Sequence, residues 1–391
     1  MRICAVKDLQ PGDILGKSIV QANNRLLLGA GFRITSEIKD RLIEKGFSHV
    51  YIVEKGTEDI IPEDIISDEI RYEAINKLGQ ETDRIKENLK FRDMSYAKAV
   101  ESLEKGNLKD IEISYEMKKI VKEIIDEITS TDTKFMTTLM PKSKDTFFFD
   151  HAINTTILSI LLGKKFRYIR SELVDLALGS FLHDIGKVII EKLENENNVD
   201  KNSSIDYYKE HPTFGYLLLQ NDTSISPMVL QTVYQHHEQQ GGKGFPVGLK
   251  GDNQPPVKGG RQKKGMIFRY AEICSVADAY DRKLLNPGKD GHLGPADVIK
   301  ELLQSASTVY NKSVLEALTE IVPIYPVGSL VRINNIVDPS LIGCYGVVAG
   351  LNEDNLKRPK IIITTNKFKK KIKPVILDTT KLTHLELKLI I

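Results

Sequence analysis

His183-Asp184-Ile185-Gly186-Lys187 closes an apolar run of helical spacing that starts near Ser171, and this stretch decides the fold. A histidine beside an aspartate offers one ligand to each side of a metal cluster, and the carboxylate is able to bridge two ions. Outward from it stand His151, then His211, His236-His237 and Asp278. The chain has eight histidines, and five of them fall between 151 and 237, next to carboxylates. Imidazole and carboxylate together suit Fe, Mn, Zn, Ni and related first-row ions. Five imidazoles and two carboxylates exceed one tetrahedral zinc and match two divalent ions sharing a carboxylate. The bland alternative is a set of core or surface histidines satisfied by ordinary hydrogen bonds.

Composition frames that site. At 391 residues the chain exceeds a single typical domain. An apolar content of 41% and a charged content of 28% belong to a globular protein able to bury a large core. A net charge of +2 argues against a dedicated binder of nucleic-acid polymers. Cys4, Cys274 and Cys344 lie far apart and form no paired framework, as in a reducing cytoplasm. The best apolar run, around Ile157 to Leu162, is too short for a membrane span. Lys7-Asp8 interrupts any signal-like stretch at the start, so a cytoplasmic location is expected.

Four pieces are expected along the chain. Residues 1–65 read as a small mixed α/β module, with turns at Pro11-Gly12-Asp13 and Gly29-Ala30-Gly31. Strands are expected at Arg25 to Leu28 and Val50 to Val53, and between them a helix capped by Thr35 or Ser36 and stopped at Gly46. Residues 66–140 are charged and helical, with Ile111, Tyr115, Ile120, Ile124 and Ile128 at near-helical spacing. Such helices either join two protomers, giving a homodimer, or pack on their own domain. Residues 141–322 carry the metal constellation and are almost wholly helical in pattern. An amphipathic segment runs from His151 to Leu162, Ser171 caps the next helix, and further helices begin near His211-Pro212 and Ile267; Gly241 to Pro256 is loop. Residues 323–391 break into short β-type runs and form a small β-rich, barrel-like module. Its basic run, Lys367 to Lys373, either meets anionic ligands or is a solvated face.

Spacing then becomes chemistry. Lys187 follows Asp184 within about one helical turn, which sets an ammonium beside the metals rather than among their ligands. Two divalent ions, two carboxylates and one bridging hydroxide leave about one positive charge, and Lys187 adds another. An anionic phosphodiester is the natural substrate. The ions would lower the pKa of bridging water and polarise the phosphoryl oxygens.

These residues also carry a family resemblance. His183-Asp184-Ile185-Gly186-Lys187 is similar to the signature of the HD phosphohydrolases. His236-His237-Glu238, the run Gly244-Phe245-Pro246-Val247-Gly248-Leu249-Lys250-Gly251 and Val276-Ala277-Asp278-Ala279-Tyr280-Asp281 resemble the HD-GYP branch. The resemblance spans about 141–320 and implies an all-helical, metal-dependent phosphohydrolase domain that hydrolyses cyclic di-GMP, a bacterial second messenger. It implies His151, His183, Asp184 and Asp278 at one metal site and His211, His236 and His237 at the other, with Asp184 shared. Lys187 matches the lysine that assists at the scissile phosphate, and Gly244, Phe245 and Pro246 match the loop beside the substrate. The N-terminal module and the segment from Tyr325-Pro326-Val327-Gly328 onward resemble pieces that accompany this domain in bacterial proteins, and signalling proteins are candidate partners.

Departures from that pattern set further expectations. Phe245 stands where the branch has tyrosine, and Gly241 where an aspartate usually fixes the loop. Phe147 occupies the position of a glutamate found in three-metal members, so two ions are expected. After Asp281 the usual Thr- and Arg-bearing stretch is replaced by Arg282-Lys283, which stand either for substrate contacts or for surface charge. Gln254 to Gly265 is an insertion with Lys258, Arg261, Lys263 and Lys264, read either as a basic flap or as a solvated loop. Cyclic di-GMP phosphodiesterase is the leading expectation, with linear pGpG and also GMP as products. A hydrolase of another (cyclic di)nucleotide and a non-catalytic binding module are the alternatives.

Overall fold

The computed structural model describes the chain apart from residues 21–25, 63, 90–95, 106–111, 132–135, 137–145, 196–205, 258–263, 285–293, 381, 383 and 391. Its first unit is mixed α/β. Strands β1 (Arg2–Ala5), β2 (Ile14–Leu15) and β5 (His49–Val53) form an antiparallel sheet in the order β1-β5-β2. Strands β3 (Ile19–Val20) and β4 (Leu26–Leu28) pair beside it, and α1 (Ser36–Glu44) precedes β5. The Thr35 hydroxyl accepts the Ile38 N–H at 3.2 Å and fixes the start of α1. Gly46 ends the helix with a φ of 71°, a left-handed value that glycine takes without a Cβ penalty.

Helices fill the middle of the chain: α2 (Asp68–Asn88), α3 (Tyr96–Glu104), α4 (Tyr115–Ser130), α5 (Phe147–Lys165), α6 (Arg170–Phe181), α7 (Lys187–Asn195), α8 (His211–Leu219), α9 (Pro227–Gln235), α10 (Arg269–Lys283), α11 (Pro295–Gln304) and α12 (Lys312–Ile321). The segment expected to be amphipathic is not. Every residue of α5 from Asp150 to Gly163 is buried, because α2, α4, α6, α10 and α12 pack around it. A helix apolar on all sides belongs at the centre of a large core. Ser171 does not cap α6; Ile169 does, and its N–H is taken by the Glu172 carboxylate at 3.1 Å. The helix expected from Ile267 starts at Arg269, after Phe268.

The apolar stripe of α4 is used within its own chain. Ile120, Ile124, Ile125 and Ile128 are fully buried against the helical core, whereas Tyr115 points to solvent. Each such isoleucine stabilises the fold by about 1.5–3 kcal/mol. Ile111 lies outside the described residues.

The last unit is an antiparallel sheet of five strands, β6 (Leu330–Asn335), β7 (Tyr345–Gly350), β8 (Lys360–Thr365), β9 (Lys371–Asp378) and β10 (Glu386–Ile390), in the order β10-β6-β7-β8-β9. Among the described residues β9 and β10 do not pair, so the sheet is open rather than a closed barrel. Val331, Ile333, Val348, Ile361 and Ile363 form its core. The basic run is partly docked: Lys371 meets Glu54 of the first unit at 2.8 Å. None of the described helices is long and apolar enough to cross a membrane.

Candidate metal centre

The His-Asp pair sits in the tight turn between α6 and α7. Hydrogen bonds from Ile185 N to Leu182 O (3.0 Å) and from Lys187 N to Asp184 O (2.9 Å) hold that turn. Gly186 is required by packing, since a Cβ there would lie 2.0 Å from the His211 carbonyl oxygen. The missing side chain lets α8 press its first residue, His211, against the turn. α5 supplies His151, the end of α9 supplies His236 and His237, and α10 supplies Asp278.

All seven residues expected to bind metal converge. The Oδ1 atom of Asp184 faces His211 Nε2 at 3.2 Å and His236 Nε2 at 3.9 Å. Its Oδ2 faces His183 Nε2 at 3.5 Å and His151 Nε2 at 3.9 Å. One carboxylate thus presents an oxygen to each of two imidazole sets. Asp184 with His211, His236 and His237, and Asp184 with His151 and His183, form two groups whose ligand atoms lie within 4.8 Å of one another. Asp278 joins the second group, 2.9 Å from His151 Nε2 and 3.7 Å from His183 Nε2.

Donor chemistry shows that these groups fit metal ions. The Nδ1 atoms of His183, His211 and His236 lie 2.6–2.8 Å from the backbone carbonyls of Ser180, Tyr208 and Val233. Each Nδ1 donates its proton outward, which leaves the Nε2 lone pair turned inward. His211 Nε2 and His236 Nε2 then face each other at 3.1 Å, an arrangement that a shared cation relieves. His183 Nε2, Asp184 Oδ1 and His237 Nε2 are buried with no hydrogen-bond partner, a costly state that ligation removes. Burial, and then the neighbouring imidazoles, hold His236 well below the usual histidine range. Burial takes His237 down to about 3. Both rings are therefore neutral and able to ligate. Burial opposes the charge on Asp184, but the cations beside it, Lys187 and Arg282 among them, outweigh it and keep the carboxyl well below the usual carboxylate range.

Residues 148–283 match the family model of the HD domain. Over that stretch the chain is similar to the HD domain. It is 24% identical over 244 residues to a cyclic di-GMP phosphodiesterase of Pseudomonas aeruginosa, covering 61% of this chain and 54% of that protein. To the cyclic di-GMP phosphodiesterase PdeB of Borreliella burgdorferi it is 24% identical over 197 residues, 50% of this chain and 48% of the relative. The chain thus spans about half the length of these two curated relatives. Among solved structures, an HDG"Y"P protein of Bdellovibrio bacteriovorus superposes with a TM-score of 0.39 at 19% identity, covering 82% of this chain and 98% of that one.

Beside the His-Asp cluster opens a cleft of about 210 Å³ lined by Tyr208, His237, Phe245, Arg282 and Tyr310, among others. Phe245 stacks on His237, with ring centroids 4.7 Å apart and planes at 28°. Gly244 is held to glycine by backbone, since a Cβ would lie 2.4 Å from Gln239 N. Pro246 follows through a cis peptide bond. With glycine at position 241, the loop is fixed instead by Glu238, which accepts the N–H groups of Val247 (2.7 Å), Gly248 (3.1 Å) and Leu249 (2.7 Å).

Arg282 and Lys283 part company. Arg282 reaches into the cluster, 2.6 Å from Asp278 and 3.6 Å from Asp184. Lys283 turns to Glu301 at 2.5 Å, near the surface. Lys187 lies 2.5 Å from Asp184 Oδ2 and 5.2 Å from the centre of the Tyr208 ring. Lys258, Arg261 and Lys263 of the insertion fall outside the described residues. Glu238 and Asp281 stand in the motifs quoted from the sequence without a role assigned to either, and Tyr208 was not singled out. Glu238 was legible as the neighbour of the His-His pair and Asp281 as the end of the motif around Asp278; nothing local marks Tyr208.

Proposed function

We propose that this chain is a metal-dependent cyclic di-GMP phosphodiesterase of the HD-GYP branch, acting in second-messenger signalling. The observation that carries this is Asp184 dividing its two oxygens between two imidazole sets at the edge of a cationic, aromatic cleft. The names of the matched relatives support the choice of substrate. His151, His183, Asp184 and Asp278 would hold one ion, and His211, His236 and His237 with Asp184 the other. When bound, two divalent ions of the Fe or Mn kind, or Zn or Ni, supply Lewis acidity toward a phosphoryl oxygen and lower the pKa of water.

The chain's own groups do the rest. The Lys187 ammonium holds positive charge beside Asp184, where an entering phosphodiester gains negative charge. Arg282 adds a second cation, and burial around Asp184 and Asp278 strengthens both interactions. Tyr208, Phe245 and Tyr310 give the cleft aromatic surface against which a guanine base packs. Phe245→Ala is expected to weaken cyclic di-GMP binding by up to about tenfold, the loss of one aromatic contact of about 0.5–1.5 kcal/mol, while Phe245→Tyr is tolerated. A titration in which the alanine variant binds like the parent would leave the ring as a support for His237 alone.

The proposed centre is binuclear. Phe147 lies parallel to His151, ring centroids 5.8 Å apart, and sets hydrocarbon where a third ion would need a carboxylate. Asp150 is turned to Arg71 at 3.8 Å, and Asp145 lies outside the described residues. A linear dinucleotide carries a terminal phosphate whose extra charge favours a further cation. Linear pGpG is therefore expected to accumulate, with GMP forming slowly. Chromatography of a time course with Mn- or Fe-loaded protein and a panel of cyclic dinucleotides tests substrate and product together. Rapid conversion to GMP, or three metal ions per chain, would overturn the binuclear reading. Preference for a mixed cyclic dinucleotide would move the substrate but keep the chemistry.

A further inference from the structure

His151 is tied to residues far outside the metal centre. Its Nδ1 lies 2.8 Å from Asp281 Oδ2 on α10. The other oxygen of Asp281 accepts the Asn154 amide N–H at 3.0 Å, and the Asn154 carbonyl accepts Arg71 Nη1 at 3.0 Å. Arg71 is clamped in turn by Asp64, at 2.7 Å from Nε and 2.6 Å from Nη2. Each side chain in this row is buried: Arg71 is 2% exposed, Asn154 3%, Asp281 3% and His151 1%. α2 contributes Arg71, α10 contributes Asp281, and α5 contributes both Asn154 and His151. Arg71 and Asp150 also line a small cavity together with Lys17, Ser18 and Phe47 of the N-terminal unit.

A buried guanidinium with so many fixed partners is costly unless each one is kept. The Asp64 pair accounts for the charge. It does not account for the third contact, which reaches through an uncharged amide to the partner of a candidate ligand. A carboxylate on the outer nitrogen of a ligating histidine fixes its tautomer and ring angle and raises its basicity. We propose that Arg71 is a positioning residue, which through Asn154 and Asp281 holds His151 in its metal-binding orientation and so links ion retention to the seating of the N-terminal unit. This rests on the metal-centre reading above.

Mn²⁺ titration of the full, metal-stripped chain, followed by electron paramagnetic resonance beside a thermal melt, tests it. Asn154→Leu cuts the row in the middle and leaves the Arg71–Asp64 pair in place. One Mn²⁺ equivalent is expected to weaken by about 10–100-fold while the other stays at the parent value. The weakened equivalent is expected to be the one lost in His151→Ala. Arg71→Lys keeps the charge near Asp64, loses the reach to Asn154, and is expected to weaken the same equivalent if the leucine variant does not fold. Two parental affinities in either folded variant, or equal weakening of both equivalents, would overturn the relay. A parent chain that binds no Mn²⁺ would remove the metal centre itself, and the relay with it.

Discussion

Asp184→Ala is expected to take the protein from two transition-metal ions per chain to fewer than one, and to cost at least about a thousandfold in turnover. The size follows from geometry. Each of the other six proposed ligands serves one imidazole group, whereas Asp184 faces both, with Oδ1 toward His211 and His236 and Oδ2 toward His183 and His151. Removing it takes a negative donor from each ion at once. It also leaves Lys187 and Arg282 as cations beside the cluster without their shared counter-ion, which raises the electrostatic cost of bringing any metal in. His211→Ala, by contrast, should lower occupancy mainly on one side. Elemental analysis of both variants after anaerobic reconstitution with Fe or Mn decides the matter. Two ions retained in the Asp184 variant would mean that the carboxylate bridges nothing.

The convergent His-Asp cluster was legible because its composition is rare: five imidazoles and two carboxylates crowd one stretch of a chain with eight histidines. The helical core was legible from spacing, and so were the mixed α/β unit before it and the β-rich unit after it. What escaped is chemically ordinary. Asp281 closes the quoted motif three residues after Asp278, but nothing in the sequence shows its partner, His151, which it meets across 130 positions. Arg71 and Asn154 are 83 positions apart, and neither belongs to a local motif. Long-range hydrogen bonds between common side chains leave no periodicity to detect. The burial of α5 was missed for a related reason. Its Asn154, Thr155, Thr156 and Ser159 look like a solvent face, but Thr156 bonds back to the Ala152 carbonyl and Ser159 to Ser180, so the helix is covered on every side.

At position 245 the sequence, with phenylalanine for tyrosine, predicts a lost phenolic hydroxyl and a retained aromatic face. The structure places the ring on His237, so the exchange keeps the face that stacks and removes only the hydroxyl. Glu238 holds the loop backbone regardless of the side chain at 241. The centre and the loop that flanks it are thus maintained by groups the departures do not touch.

Lys187→Ala is the complementary case, expected to keep both ions and lose about 10²–10³-fold in turnover, the range for removing one preorganised charge from a developing oxyanion. Lys187 opens α7, where the first turn carries no acidic residue. A cation at the positive end of a helix dipole disfavours the helix by a few tenths of a kcal/mol to about 1 kcal/mol. Helix stability therefore does not explain this lysine; its contacts with Asp184 and the Tyr208 ring do. Two roles remain, counter-ion to Asp184 in the folded chain or partner of the substrate phosphate, and they separate by experiment. A counter-ion alone would show in the melting temperature of the metal-free protein and leave the kcat of the loaded enzyme near the parent value. A phosphate partner would show in kcat with two ions still bound, and Lys187→Arg would restore part of it. Normal turnover by metal-loaded Lys187→Ala would leave Arg282 as the cation that meets the substrate.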